Sequence, residues 1–362
     1  MSPTLRGLAL FWMVIMPVEF SKRFLIFLLS AFFALKSQST FAQGGAANRD
    51  LFYNGKTINL ILGYPPGGAN DVFGRLVTKH IGRFIPGAPN VVLQHMAGAG
   101  SAIAANYVFN IAPRDGTVLA LLVPTLALEE RMGVPGVKYR SLEFNWIGRL
   151  APAPNVTFMW HTSRVKKIED AFRIESIVGA TGSSATNSIY PSLLNQIVST
   201  KFKLVKGYQG SGAAMLAMER GEIEGHSPTL DTLTSLHPDW VLDKKVNIIV
   251  QYLARRHVDL PDVPTAIDAA QSEAQKRVFL FAFSAGDIGK SLLTTPQVPA
   301  DRVGILRQSF DRMVLDPQFR AEAKQLMIGI DPLSADQLVE FVKGVMLTSS
   351  NVADELKSFY FQ

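Results

Sequence analysis

Four stretches rich in glycine, serine and asparagine each lie between a short apolar segment and a helical pattern. They are "PPGGAND" (65–71), "AGAGS" (97–101), "GSSATN" (182–187) and "GYQGSG" (207–212). Glycine lets the main chain approach a ligand closely, and the helix start behind it offers free N–H groups and a positive dipole end. Several such loops around one cleft would hold an anion without a basic side chain. Each loop on its own is also explained as a turn with a helix cap.

Side chains in these loops would add to such a site. The hydroxyls of Ser183 and Ser184 and the amide of Asn187 are directional hydrogen-bond donors. Asp71 needs another explanation, because a carboxylate that faced the site would repel an anionic ligand. The sequence favours a role in capping the helix or tying down the loop. The alternatives are an ordered water held by Asp71, or the ammonium group of an amino-acid ligand that pairs with it.

Sequence motifs of enzymes and metal sites are missing or incomplete. The six histidines are scattered, without H-E-x-x-H, so we expect no metal site. There is no cysteine, no G-x-S-x-G elbow and no G-x-G-x-x-G after the first strand pattern. The stretch 284–291, "SAGDIGKS", resembles the end of a phosphate-binding loop, but Ser284 replaces the first glycine. We therefore expect a loop with a solvated Lys290, and we predict no catalytic residue and no cofactor.

The elements that must position the glycine loops alternate along the chain. Short β-rich segments, such as "TINLILGY" (57–64) and "NVVLQHM" (90–96), are followed by amphipathic helical patterns. This alternation is typical of α/β domains with largely parallel sheets, and the last ninety residues or so are mostly helical. In open α/β sheets, ligands bind at the carboxyl ends of the strands. The sequence therefore predicts that the glycine loops meet at one cleft.

The first 42 residues have the pattern of an export signal. A basic pair precedes the apolar run 24–35, and small residues before and at Ala42 predict cleavage after that residue. A further apolar run at 8–16 is explained if translation starts at Met16, and the alternative is an uncleaved anchor. We therefore expect a periplasmic protein whose remaining chain is long enough for two domains.

The charge and cysteine content exclude some classes of partner and cross-link. The net charge is +6, but four of the 36 basic residues and only one of the 30 acidic residues lie in the first 42. The remaining excess is too small to indicate a nucleic-acid partner. Without cysteine, the exported protein has neither a lipid-attachment site nor disulfides.

The order of the motifs resembles that of the Bug-type periplasmic solute-binding proteins of tripartite tricarboxylate transporters. Those proteins begin with a strand, P-P-G-G-x-x-D and a helix, as at 65–71, and have a second glycine loop like that at 97–101. Their aspartate-glycine turn is matched at Asp115, and "LPDVPT" (260–265) is nearly a hallmark of the family. Their C-terminal P-x-x-x-V…D-P-x-x-R pattern is matched at 298–320. The resemblance runs from about residue 52 to the C-terminus.

The resemblance implies an α/β fold and a transport function. The fold is that of a two-lobed type II periplasmic binding protein, a Venus flytrap, with a central mixed sheet in each lobe and a ligand cleft between them. Residues 48–150 and 266–362 would form the first lobe, and 151–265 the second. The implied function is that of a monomer that captures a small organic acid and delivers it to membrane permease subunits. The acid would be a di- or tricarboxylate, an aromatic acid or an amino acid. The alternatives are an exported α/β enzyme acting on a carboxylated substrate, and a sensor that feeds a membrane receptor.

The resemblance also implies a set of ligand-binding residues. In such proteins, backbone amides and ordered waters of the first two loops hold the ligand carboxylate, and the second lobe contributes the rest. Carried over, the set is Gly67, Gly68, Ala69, Asn70, Asp71, Gly98, Ala99, Gly100, Gly182, Ser183, Ser184, Asn187, Tyr208, Gly210 and Ser227. Because Ser227 stands where the family often has aspartate, we expect a different contact at the far end of the ligand.

Overall fold

The computed structural model of the protein describes residues 52–182 and 185–360. The predicted signal peptide, residues 1–42, lies outside these ranges, and so do Ser183 and Ser184. Within the described ranges, no helix combines the length and the apolar character that a membrane span requires.

The strands of the described residues form two mixed sheets. In chain order they are β1 (Thr57–Leu62), β2 (Asn90–His95), β3 (Val118–Leu121), β4 (Asn145–Ala151), β5 (Asn155–Trp160), β6 (Ser176–Ala180), β7 (Phe202–Lys206), β8 (Gly225–His226), β9 (Val246–Tyr252), β10 (Lys290–Thr294) and β11 (Leu333–Ser334). The first sheet has the order β11-β4-β10-β3-β1-β2, and the second has the order β7-β6-β8-β5-β9. In the first, β1 is parallel to β2 and β3, whereas β10 is antiparallel to β3 and β4. In the second, β6 is parallel to β7 and β8, and β5 is antiparallel to β8 and β9.

Helices connect these strands and cover the sheets. In the described ranges the α-helices are α1 (Ala69–His80), α2 (Ala102–Asn110), α3 (Leu126–Arg131), α4 (Ile168–Ala171), α5 (Thr186–Val198), α6 (Ser211–Glu219), α7 (Leu230–Leu236), α8 (Pro238–Leu242), α9 (Glu273–Ile288), α10 (Ala300–Leu315), α11 (Pro317–Gln325), α12 (Ala335–Met346) and α13 (Ser350–Tyr360). Short 3-10 turns occupy Ile81–Phe84, Ala99–Ser101 and Ala266–Ala269. The predicted α/β class and the mostly helical C-terminal region are confirmed.

Strand β1 shows why its sequence is almost continuously apolar. It lies between β2 and β3, so neither of its edges is exposed. Ile58, Leu60 and Leu62 on one face and Ile61 on the other are each at most 1% exposed. A parallel strand with helices on both faces needs apolar side chains at successive positions instead of alternate ones.

Helix α10 packs so closely on β4 that one position in the strand must be glycine. A Cβ atom at Gly148 would overlap the ring of Phe310, which is fully buried. An alanine at this position would displace the helix from the sheet, since close-packed cores yield little to an added methyl group.

Over its described residues the chain crosses between the two sheets twice. It enters the second sheet between Ala151 and Asn155, and it returns to the first between Tyr252 and Lys290. On this basis we propose a discontinuous first lobe of residues 48–150 and 266–362 and a second lobe of residues 151–265, of which 48–51 and 361–362 lie outside the described ranges.

Candidate ligand-binding site

A cavity of about 550 Å³ lies where the carboxyl ends of strands from both sheets meet. Strands β1, β2 and β3 of the first sheet and β6 and β7 of the second each lead into a segment of its wall. This is the position at which α/β sheets bind ligands, and the volume is typical of small-molecule sites.

Described residues of all four glycine loops line this cavity. The predicted site residues that it brings together are Gly67, Gly68, Ala69, Asn70, Gly98, Gly100, Gly182, Asn187, Tyr208 and Gly210. Asp71, Ala99 and Ser227 are described but do not line the cavity. Ser183 and Ser184 belong to the loop after β6 but lie outside the described residues.

Asp71 lies behind the first loop and fixes its shape. Its carboxylate accepts hydrogen bonds from the main-chain N–H of Gly67 at 3.0 Å, from Arg75 Nε at 3.1 Å and from His95 Nε2 at 2.8 Å. Burial alone would raise the pKa of Asp71, but these three hydrogen bonds, led by that from Gly67, hold the pKa below its usual value. The carboxylate is therefore ionised at neutral pH and holds the loop against α1.

The second loop is held in a strained conformation. The φ angles of Gly98, Ala99, Gly100 and Ser101 are 136°, 45°, 59° and 70°, so two residues that are not glycine are left-handed. Ser101 Oγ donates to the carbonyl of Gly63 at 2.7 Å, which ties this loop to the end of β1. Such strain persists only where the surroundings enforce it, and it is common at binding sites.

Several helices begin at the cavity without a side-chain cap. The N-cap residues concerned are Gly68 of α1, Ser101 of α2, Ala185 of α5 and Gly210 of α6. None of these side chains bonds to a main-chain N–H of its helix. The first-turn N–H groups without a main-chain acceptor, and the positive ends of the helix dipoles, therefore remain available to an anion.

Two asparagines form a polar wall on the side of the second sheet. The Asn187 side-chain oxygen accepts from the main-chain N–H and the hydroxyl of Thr181, both at 3.1 Å, so its NH₂ group is left to contact a ligand. Asn155, which also lines the cavity, donates to the Ser227 carbonyl and to Thr186 Oγ1, both at 3.1 Å.

Ser227 supports this wall from behind. It is fully buried, and its hydroxyl lies 2.6 Å from Thr157 Oγ1, which is also 2.6 Å from the phenol of Tyr252. The hydroxyl of Ser227 therefore forms a hydrogen bond inside the second sheet, whereas the main-chain carbonyl of Ser227 accepts a hydrogen bond from Asn155.

Lys290 corrects an expectation from the sequence. The predicted loop with a solvated lysine is wrong, because α9 runs to Ile288 and β10 begins at Lys290. The residue is 2% exposed and lines the cavity. Its Nζ lies 2.7 Å from Asp231 Oδ2 and 5.2 Å from the centroid of the Phe73 ring. The β-rich run "KSLLTT" between a glycine and a proline is the signal that could have indicated a strand here.

The cavity between two mixed α/β sheets defines the class of protein. The protein has the fold of a two-lobed type II periplasmic binding protein.

Comparisons with known proteins agree with this assignment. No family model matches the chain. A curated relative, the "UPF0065 protein in tcbD-tcbE intergenic region" of Pseudomonas sp. (strain P51), is 27% identical over 221 residues, which are 59% of this chain and 63% of the relative. The chain thus spans less than two thirds of that relative's length.

Solved structures that share the fold include the following two. The periplasmic binding protein BugD has a TM-score of 0.66 at 18% identity, over 85% of this chain and 98% of BugD. MatC from Rhodopseudomonas palustris, solved with bound malate, has a TM-score of 0.64 at 19% identity, over 83% of this chain and 99% of MatC. The resemblance inferred from the motifs is confirmed, since the chain is similar in sequence to a UPF0065 protein and in fold to a Bug protein.

Proposed function

We propose that the protein is a periplasmic solute-binding protein that captures a small organic carboxylate and delivers it to a tripartite tricarboxylate-type membrane permease. The observation that carries this proposal is the meeting of uncapped helix starts from both sheets around one cavity. We further propose that it acts as a monomer, without a cofactor and without catalysis.

The affinity that such a site can reach follows from its donors. A hydrogen bond from an N–H group to a charged acceptor contributes roughly 1.5–3 kcal/mol. A carboxylate with several such bonds can offset the cost of immobilisation, especially because the loops are already fixed by Asp71 and Ser101. Micromolar affinity, about −8 kcal/mol, is therefore within reach.

The two mixed sheets suit a closing motion. The first two loops belong to the first sheet, whereas the loops at Gly182 and Gly210 belong to the second. A ligand that contacts both sets stabilises the closed arrangement by its extra contacts there. A permease could then distinguish loaded from empty protein by the relative position of the lobes. The similarity in fold to MatC, which was solved with malate, supports a carboxylate as the ligand.

A thermal-shift and calorimetric screen tests the proposal. The exported protein is titrated with mono-, di- and tricarboxylates, aromatic acids and amino acids, and each acid is paired with its amide as a control. We expect at least one acid to bind, with a stabilisation of about 2.7 kcal/mol at a hundredfold excess over its Kd, and its amide not to bind. Mass spectrometry then follows the bound acid, and a chemically changed acid would indicate the alternative, an exported enzyme.

Measurements of uptake distinguish the transport function from the alternative function as a sensor. We expect uptake of the radiolabelled acid into cells to require both this protein and a permease. Uptake that persists without the protein, together with a ligand-dependent signal through a receptor, would contradict the transport function and favour a sensor.

A further inference from the structure

We propose that Lys290 binds a second anionic group at the far end of the ligand, so that the solute is a dicarboxylate. In this proposal, the Asp231 carboxylate forms an ion pair with the Lys290 ammonium group when no ligand is bound. The inference rests on the proposed function, because it assumes that one carboxylate of the ligand lies at the glycine loops.

Lys290 is the formally charged side chain in the cavity wall that the described residues form. Burial of a lysine at 2% exposure is unfavourable unless the ammonium group is paired. Its position follows from the topology: β10 runs antiparallel to β3, so the start of β10 lies at the same sheet edge as the carboxyl end of β3. The cation is therefore fixed on a strand instead of a mobile loop.

The ion pair of Lys290 connects the first sheet to a helix that follows β8 of the second sheet. Lys290 belongs to the first sheet, whereas Asp231 lies in α7, between strands β8 and β9 of the second. Helix α7 begins after Thr229, and both Thr229 and Thr232 line the cavity. The Asp231 carboxylate thus approaches Lys290 from the side of the second lobe.

The Asp231 carboxylate is weakly held for a buried charge. Apart from the contact with Lys290 at 2.7 Å, neither of its oxygens has a hydrogen-bond partner among the described residues. Buried carboxylates are ordinarily satisfied by several donors. By comparison, the Asp71 carboxylate in the same protein accepts three hydrogen bonds. A competing carboxylate therefore has one contact of Asp231 to break, the one with Lys290.

Lys290 has the capacity to accept such a competitor. An ammonium group has three N–H donors, and the Asp231 contact uses one direction. A dicarboxylate could place one end on the main-chain N–H groups at Gly68 and the other on Lys290, since both residues line the same cavity. A monocarboxylate would leave the Lys290–Asp231 pair intact and gain nothing from it.

The proposal differs sharply from a purely structural role of the ion pair. If Asp231 competes with the ligand, its neutralisation should strengthen the binding of dicarboxylates. If the pair only holds the two sheets together, the same substitution should weaken the binding of every ligand, or leave it unchanged. The sign of the effect of Asp231→Asn therefore separates the two roles.

The experiment measures Kd by calorimetry for succinate, glutarate and adipate and for the half-amide of each, which has the same shape but one charge fewer. For the best chain length, we expect the wild-type protein to bind the diacid at least tenfold more tightly than the half-amide. Lys290→Met should reduce this ratio to near one while half-amide binding persists. Asp231→Asn should raise the ratio by a further several-fold.

Matched controls come from a second ion pair. Lys245 and Asp239 are 2.8 Å apart and partly exposed, and neither lines the cavity. Lys245→Met and Asp239→Asn should leave the ratio at its wild-type value. A wild-type ratio near one, or a ratio that Lys290→Met leaves unchanged, would overturn the inference alone. Failure of every carboxylate to bind would overturn the proposed function as well. If Lys290→Met does not fold, the wild-type ratio and Asp231→Asn still decide the question.

Discussion

His226 should make the stability of the protein fall at mildly acidic pH. Its imidazole is fully buried in β8. Nδ1 donates to the carbonyl of Gly179 at 2.7 Å, whereas Nε2 has no hydrogen-bond partner among the described residues. Burial lowers the pKa of His226 from 6.5 to about 4, and the hydrogen bond to Gly179 only partly opposes this shift.

The size and sign of the effect follow from linkage. Between pH 6.5 and about 4 the unfolded chain binds a proton at this histidine and the folded protein does not. The contribution of the uncharged His226 to the free energy of unfolding is therefore complete above pH 6.5 and is lost as the pH falls toward 4. At roughly 1.4 kcal/mol for each pH unit, the loss is about 3 kcal/mol over this range.

Urea unfolding at several pH values between 7.5 and 4.5 measures this loss. We expect the free energy of unfolding of His226→Gln to fall less over this range than that of the wild type, by about 2–3 kcal/mol. His161→Gln, which removes an exposed histidine, serves as the control and should keep the wild-type slope. Equal slopes for His226→Gln and the wild type would refute this reasoning.

Further predictions concern the two loops of the first sheet. Gly68 has a φ of −106°, and a Cβ there would meet no atom within 4 Å, so Gly68→Val should fold normally yet abolish the ligand-induced rise in melting temperature. Asp71→Asn should lower stability by about 1–3 kcal/mol in urea unfolding at pH 7. The pKa of Asp71 is lowered in the folded protein, whereas in the unfolded chain it is ~3.9. The difference in stability between wild type and Asp71→Asn should therefore be complete above pH ~3.9 and be lost as the pH falls through the lower pKa of the folded protein. Ser101→Ala removes the hydrogen bond to Gly63, and we expect a loss of about 1 kcal/mol in stability and weaker calorimetric binding.

The parts of the site that could be predicted from the sequence are those set by local patterns. The loop at 65–71 follows a strand and precedes a helix in the sequence as in the structure, because glycine and proline break the apolar run at a fixed place. The same holds for the loop at 97–101. Since parallel strands end at the same edge of a sheet, loops predicted separately come together in the fold.

The parts that the sequence did not predict depend on distant contacts. The burial of Lys290 depends on Asp231 and on the antiparallel pairing of β10. Neither can be inferred from the residues next to Lys290 in the sequence. Strand β4 likewise contains Arg149, a poor residue for a central strand by local rules. Its guanidinium donates to the carbonyl of Asp287 at 2.8 Å and to the carboxylate of Asp331 at 3.1 Å, whereas Nε has no hydrogen-bond partner among the described residues.

Ser227 illustrates the limit of residue-by-residue inference from a resemblance. Its place in the order of the motifs predicts a contact with the ligand. In this chain its hydroxyl bonds within the second lobe, and Asn155 lies between it and the cavity.

The central claim is that main-chain N–H groups at helix starts bind a carboxylate of the ligand. A crystal structure of the protein with the tightest-binding acid from the screen tests it most directly. We predict a carboxylate oxygen about 2.7–3.1 Å from main-chain nitrogens of the loops at Gly68 and Gly98. A ligand whose carboxylates contact only side chains, or that lies outside this cavity, would contradict the claim.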